Sequence, residues 1–143
     1  LFASTTGTDA VWVVKLIDVF PPEVRSNPEL GGYQLMVSAD ILRGRYRQSP
    51  EHPQPSEPGV VAPYRVRMPE ANHTFLPGHR IMVQVQSSWF PLYDRNPQTF
   101  VENIAKAEPG NYRSATHRIW LAPGQASYVE LPVVGTKNLT QAR

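Results

Sequence analysis

The residues best equipped for chemistry lie together in Ser87-Ser88-Trp89-Phe90-Pro91-Leu92-Tyr93-Asp94-Arg95-Asn96-Pro97, where paired serines run into three large aromatics and an Asp–Arg pair. Two kinds of chemistry could use such a run. A serine hydrolase needs a nucleophilic hydroxyl on a strained turn, a histidine base within hydrogen-bond reach and an oxyanion hole. Ser87 or Ser88 with His117 could supply two of these, but the sequence contains no G-x-S-x-G, and paired serines at the end of a strand read as turn residues. The second possibility is recognition, because aromatics beside a charged pair have the composition of a binding hot spot. Trp89, Phe90, Tyr93, Asp94 and Arg95 are therefore candidates for an interdomain interface. Against this stands a plainer reading, in which the aromatics cap the domain's own core while Asp94 and Arg95 tie the loop to its backbone.

Metal and cofactor chemistry finds little purchase. The four histidines, His52, His73, His79 and His117, include no H-x-H or H-x-x-x-H pair, and there are no cysteines. Asp9, Asp18, Asp40 and Asp94 lack the spacing of a calcium loop. No catalytic residue, metal ligand or cofactor is expected within this sequence. Arg43, Arg45 and Arg47 recur with a period of two, which predicts one solvated strand face rather than an anion site. Sequons at Asn72 and Asn138 are too common by chance to decide anything.

The elements that must position these residues read as strands. Residues 10–20, AVWVVKLIDVF, are apolar at nearly every position and predict a strand covered on both faces. Residues 31–47 carry two extended stretches, and 49–63 form a loop with five prolines, ordered by packing. YRVRM at 64–68 alternates as a half-buried strand, and 76–88 turns at Pro77-Gly78 before alternating again. Phe100, Ile104 and Ala107 suggest one short helical turn ended by Pro109-Gly110. Two final strands, 115–123 and 126–134, are joined by Gly124-Gln125, and 135–143 reads as a flexible tail. About eight short strands with turn signals between them predict an all-β jelly-roll sandwich over residues 1–134.

The composition of the 143 residues agrees, with 41% hydrophobic and 18% charged residues and a net charge of +2 without a long basic run. Nucleic-acid binding is not supported, and no segment is apolar and long enough to cross a membrane. The sequence lacks an initiating Met and opens in what reads as a strand, LFAST, so a processed product or a piece of a longer polypeptide is expected.

Four stretches, STTGTDAVWVVKLIDVFP, ILRGRYR, ANHTFLPGHRIMVQVQSSWFPLYDRNPQTF and APGQASYVELPVV, closely resemble the C-terminal domain of the X-Pro dipeptidyl-peptidase and cocaine-esterase group of serine hydrolases. Within that group the likeness is greatest to α-amino-acid ester hydrolases and glutaryl cephalosporin acylases. The resemblance implies a galactose-binding-like jelly roll that lacks its first strand or strands, packed on an α/β-hydrolase domain whose Ser–Asp–His triad lies upstream. It implies a parent enzyme that cleaves esters or amides of small acyl or aminoacyl groups through an acyl-enzyme, and a periplasmic or secreted location. Two other readings remain open: a carbohydrate-binding module using Trp89, Tyr93 or Trp120 as an exposed platform, and a homo-oligomer formed through an open sheet.

Overall fold

The apolar run at 11–19 forms the central strand, β2 (Val11–Val19), whose residues are buried at every position except Lys15. Both its edges are occupied in the computed structural model, which describes residues 1–134. β3 (Gln34–Arg43) and β5 (Arg80–Gln86) pair antiparallel to it, giving a sheet in the order β3-β2-β5. The β2–β3 register slips between Leu16 and Ile17, where Val37 is left unpaired as a bulge.

A second antiparallel sheet, β4-β1-β6, joins β1 (Phe2–Thr5) to β4 (Ala62–Pro63) and β6 (His117–Ile119). A hairpin of β7 (Leu121–Ala122) and β8 (Gln125–Ala126) follows. The two larger sheets meet in a core of Ala3, Ala10, Trp12 and Tyr64, with Leu1, Leu42, Ala62 and Val85 around it. Trp12 lies 5.2 Å from both the Tyr64 and His117 rings, so one indole on β2 joins the two sheets. The architecture is the expected all-β, antiparallel sandwich.

Three Pro-Gly pairs reverse the chain at Gly59, Gly78 and Gly124, whose φ values of 79, 85 and 78° suit the third residue of a type II turn. The last of these places Pro123-Gly124, rather than Gly124-Gln125, at the hairpin tip. Several other expectations need correction. Residues 31–47 hold one long strand rather than two stretches. Residues 64–68 keep their alternating burial but form no ladder among the described residues. The helical turn is a single 3₁₀ turn at Ile104–Lys106, and Pro109–Asn111 opens a second one. Beyond Ala126 the described chain is irregular. The tail and the Asn138 sequon lie outside the described residues.

The arginine triplet is the largest correction. Only Arg43 lies in a strand, because Gly44–Tyr46 turns as a 3₁₀ helix. The three side chains then diverge. Arg43 meets Asp94, Arg45 enters the core, and Arg47 donates to the carbonyls of Gly44, Gln54 and Pro55. Those last bonds, with Ser56 N to Thr8 O and Gly59 N to Thr5 O, order the proline-rich loop.

Candidate functional site

The loop after β5 divides into an inward and an outward half. Trp89 is half-buried because it lies over β2, with Lys15 Nζ 4.5 Å from its ring centroid, a cation–π contact. Tyr93 stacks 5.8 Å from Trp89, and its amide donates to the Trp89 carbonyl. Asp94 accepts from Arg43 Nη2 at 2.6 Å, tying the loop to the end of β3. That ion pair also walls an open cavity of about 320 Å³ lined by Tyr46 and Glu102. Phe90 and Leu92 point the other way and are 55% and 65% exposed, with Arg95 stacked 4.3 Å over the Phe90 ring.

The loop is therefore divided between side chains held against the domain and side chains left in solvent. Trp89, Tyr93 and Asp94 act as internal anchors, and Phe90 and Arg95 form an exposed aromatic–cation pair. Leu92, the most exposed apolar residue of the loop, was not among the expected interface residues, nor were Lys15 and Arg43 expected as anchors. Nothing in a local pattern marks Lys15, because its partner is 74 positions away in the chain.

The far end of the loop is pinned from below. Asn96 Oδ1 accepts from the Gln98 amide, and the Gln98 carbonyl accepts from the amides of Thr8 and Asp9. Gly7 is required beside this carbonyl, since a Cβ there would fall 2.3 Å from the Gln98 oxygen. Asp9 is fully buried and takes Arg45 Nε at 2.9 Å, Arg45 Nη2 at 2.8 Å and the Ala10 amide at 2.8 Å. Phe100 covers the guanidinium at 4.6 Å. The Nη2 approach lies within ion-pair distance but is poorly aligned for a hydrogen bond, so Nε is the donor that holds the pair.

A second buried carboxylate is gripped by two histidines that the sequence keeps apart. Asp18 is 2% exposed; its Oδ2 meets His73 Nε2 and its Oδ1 meets His79 Nδ1, each at 2.8 Å. An ionised carboxylate only accepts, so each of these ring nitrogens carries its proton. Desolvation raises the Asp18 pKa, but the two imidazole bonds and their charge outweigh it and hold the carboxyl below its ordinary range. The sequence carries one signal for this cluster, an acid in the middle of an apolar strand, which can be buried only with partners.

The serine-hydrolase arrangement does not assemble. Ser88 Oγ accepts from the Phe90 amide, while His117 packs edge-on against Trp12. Burial lowers the His117 pKa and favours the neutral ring. The aromatics of the suggested sugar platform are engaged within the domain, Tyr93 against Trp89. Trp89 has Lys15 over its face, and the half-buried Trp120 directs Nε1 to Ser4 Oγ at 3.4 Å. Among the described residues no group of three or more His, Cys, Asp or Glu side chains is arranged to hold a metal ion, and no helix is long and apolar enough to cross a membrane.

Residues 1–130 match the family model described as the X-Pro dipeptidyl-peptidase C-terminal non-catalytic domain. The chain is 37% identical over 134 residues to the cocaine esterase of Rhodococcus sp. (strain MB1 Bresler), covering 94% of this chain and 22% of that protein. It superimposes on an aminopeptidase from a marine sediment Thaumarchaeota archaeon with a TM-score of 0.82 and 67% identity, over 84% of this chain and 20% of the other. An α-amino acid ester hydrolase gives a TM-score of 0.85 and 58% identity, over 87% of this chain and 20% of the other. The chain thus spans about a fifth of the length of these relatives. With residues 1–130 matched, nearly the whole of its length, the chain belongs to the X-Pro dipeptidyl-peptidase C-terminal non-catalytic domain family.

Proposed function

We propose that this domain serves a serine hydrolase by packing on its α/β-hydrolase domain and helping to shape the cleft, with Phe90, Leu92 and Arg95 at the contact. The observation that carries the reading is the loop's division. A free-standing domain gains nothing by holding Phe90 and Leu92 in water, whereas the anchors beneath them fix both side chains at low entropic cost for a partner. The catalytic partner belongs to the same polypeptide, in keeping with relatives five times longer than the chain. Its reaction is hydrolysis of esters or amides of small acyl or aminoacyl groups through an acyl-enzyme on a serine outside this sequence. This extends to the present protein the activities that an esterase, an ester hydrolase and an aminopeptidase carry in their names.

The test is to label lysate of the source cells with a fluorophosphonate probe and to immunoblot with an antibody against this chain. A labelled band far larger than 16.1 kDa is expected. An unlabelled band near that mass as the sole product would overturn the reading. In the large protein, Phe90→Ala with Leu92→Ala should loosen the two domains and lower kcat/KM while leaving this domain folded.

Self-association is a further element of the proposal. β5 forms an outer edge of its sheet with Ile81 and Val83 exposed, as a pairing edge requires. Sedimentation of the intact protein should then give a dimer or larger species, and a monomer at micromolar concentration would remove this element.

A further inference from the structure

The cavity beside the Arg43–Asp94 pair has a fixed wall on each side. One is the 3₁₀ turn Gly44–Tyr46, whose Gly44 amide donates to the Ala10 carbonyl at 2.7 Å. Arg47, directly after it, ties that turn to the carbonyls of Gln54 and Pro55. The other is the 3₁₀ turn Ile104–Lys106, anchored by the buried Ile104 and capped by Asn103, whose Oδ1 accepts from the Ala105 amide at 2.9 Å. The open space of about 320 Å³ between them is at the lower end of the range for small-molecule sites.

The floor is a buried arginine with unused donors. Arg45 is 3% exposed and borders the cavity. A guanidinium carries N–H groups on all of its nitrogens, yet only Nε has a well-aligned acceptor, Asp9 Oδ2. Phe100 covers the planar face at 4.6 Å, so any further contact comes through the edge. Nη2 is sealed from solvent without an aligned acceptor. Nη1 also has none among the described residues but is not sealed, so it is the donor that a ligand can reach. Buried donors are rarely left unmade, because an unmet one costs the desolvation of that group.

The rim has the opposite sign. Glu102 is exposed and forms no ion pair among the described residues. Asp9 and Asp94 already balance Arg45 and Arg43, so Glu102 leaves the site with a net negative charge. A simple anion is drawn to Nη1 but repelled by Glu102 and Asp94, and a simple cation meets the reverse. A small molecule with a carboxylate at one end and an ammonium at the other suits both.

We infer that this cavity binds a free α-amino acid with a small side chain. Its carboxylate accepts from Arg45 Nη1, its ammonium donates to Glu102, and Ile104 and Ala105 line the space left for the side chain.

The experiment is equilibrium dialysis of radiolabelled L-alanine against the intact protein that contains this chain. Saturable binding in the millimolar range is expected, as suits a small, open site. Glu102→Gln should weaken it by at least about tenfold, the worth of one charge-assisted hydrogen bond. Glu102 makes no contact that holds the fold, whereas an Arg45 variant would lose the strut to Asp9 and is not used. Propionate and ethylamine, each lacking one charge, should compete at least about tenfold less well than L-alanine. Absence of saturable binding, or equal binding by the Glu102→Gln protein, overturns the inference; propionate competing as well as L-alanine overturns the zwitterion assignment.

Charge reversal separates recognition by Glu102 from a structural effect of replacing it. Glu102→Lys should turn the site into one for a dicarboxylate, losing L-alanine and gaining succinate. A Glu102→Lys protein that still prefers L-alanine, or that gains no succinate, shows that Glu102 does not face the ligand.

Discussion

Arg45 and Arg43 stand two residues apart, and each meets an aspartate, yet the two ion pairs do different work. Arg45 and Asp9 are 3% and 0% exposed, whereas Arg43 and Asp94 are 39% and 30% exposed. The buried pair is committed: removing either partner leaves the other charged in a medium that cannot solvate it. The outer pair can exchange its partner for water at little cost. One is a strut under the loop's far end, and the other is a tether on its near side. The difference lies in burial, because both pairs have the same charges at similar distances.

Breaking the strut should give the largest effect. Arg45→Ala is expected to cost about 3–5 kcal/mol in urea unfolding. The double replacement Asp9→Leu with Arg45→Met should recover most of that loss, because it removes both charges and keeps the volume. A double variant as unstable as the single one would mean that the hydrogen bonds to Ala10 and the backbone around it, rather than the charges, set the cost. Trp89→Ala comes next. It removes a half-buried ring from β2 and frees Lys15, for an expected loss of about 2 kcal/mol in the same measurement.

Acid titration compares the half-buried His117 and the buried Asp18 in separate pH windows. His117 has a depressed pKa, so its contribution is complete above the ordinary histidine value of 6.5 and is lost as pH falls through the folded value. Asp18 is also depressed, so its contribution is complete above 3.8 and is lost only as pH falls below that. Thermal midpoints should therefore decline in two steps. His117→Phe should flatten the first and Asp18→Asn the second, and a single unchanged slope in either variant would show that another group titrates there.

Smaller effects belong to the tether and the outward half. Arg43→Ala should cost about 1 kcal/mol or less, and the cost should shrink in high salt. Phe90→Ala and Leu92→Ala should each change this domain's stability by about 0.5 kcal/mol or less. Their cost should appear in the longer protein, as separate unfolding of its domains. If these two variants destabilise the domain itself as much as Trp89→Ala does, the distinction between inward and outward halves is wrong.

Local pattern made much of this molecule legible. Val11–Val19 read as a strand covered on both faces, since a short run this apolar and rich in β-branched residues suits a strand buried on both sides. The Pro-Gly turns announced themselves, because glycine takes positive φ freely and proline presets the residue before it. The YRVRM alternation gave the right burial, but a ladder needs a second strand, and among the described residues none lies there. Arg45 was misread because period two counts only while the backbone stays extended, and Gly44 ends the strand one residue before it.

The sequence by itself determined the fold class, the central strand, the turns and the family, because each rests on local pattern or on long ordered motifs. Only the tertiary structure decided which charges are buried and which faces of the loop are free. It put Asp18 between His73 and His79, Lys15 under Trp89 and Asp9 against Arg45, and it left Phe90 and Leu92 outside. Those pairings join residues 36 to 74 positions apart. Long-range contacts of this kind leave no periodic trace, since chain folding brings together partners whose sequence neighbours are unrelated.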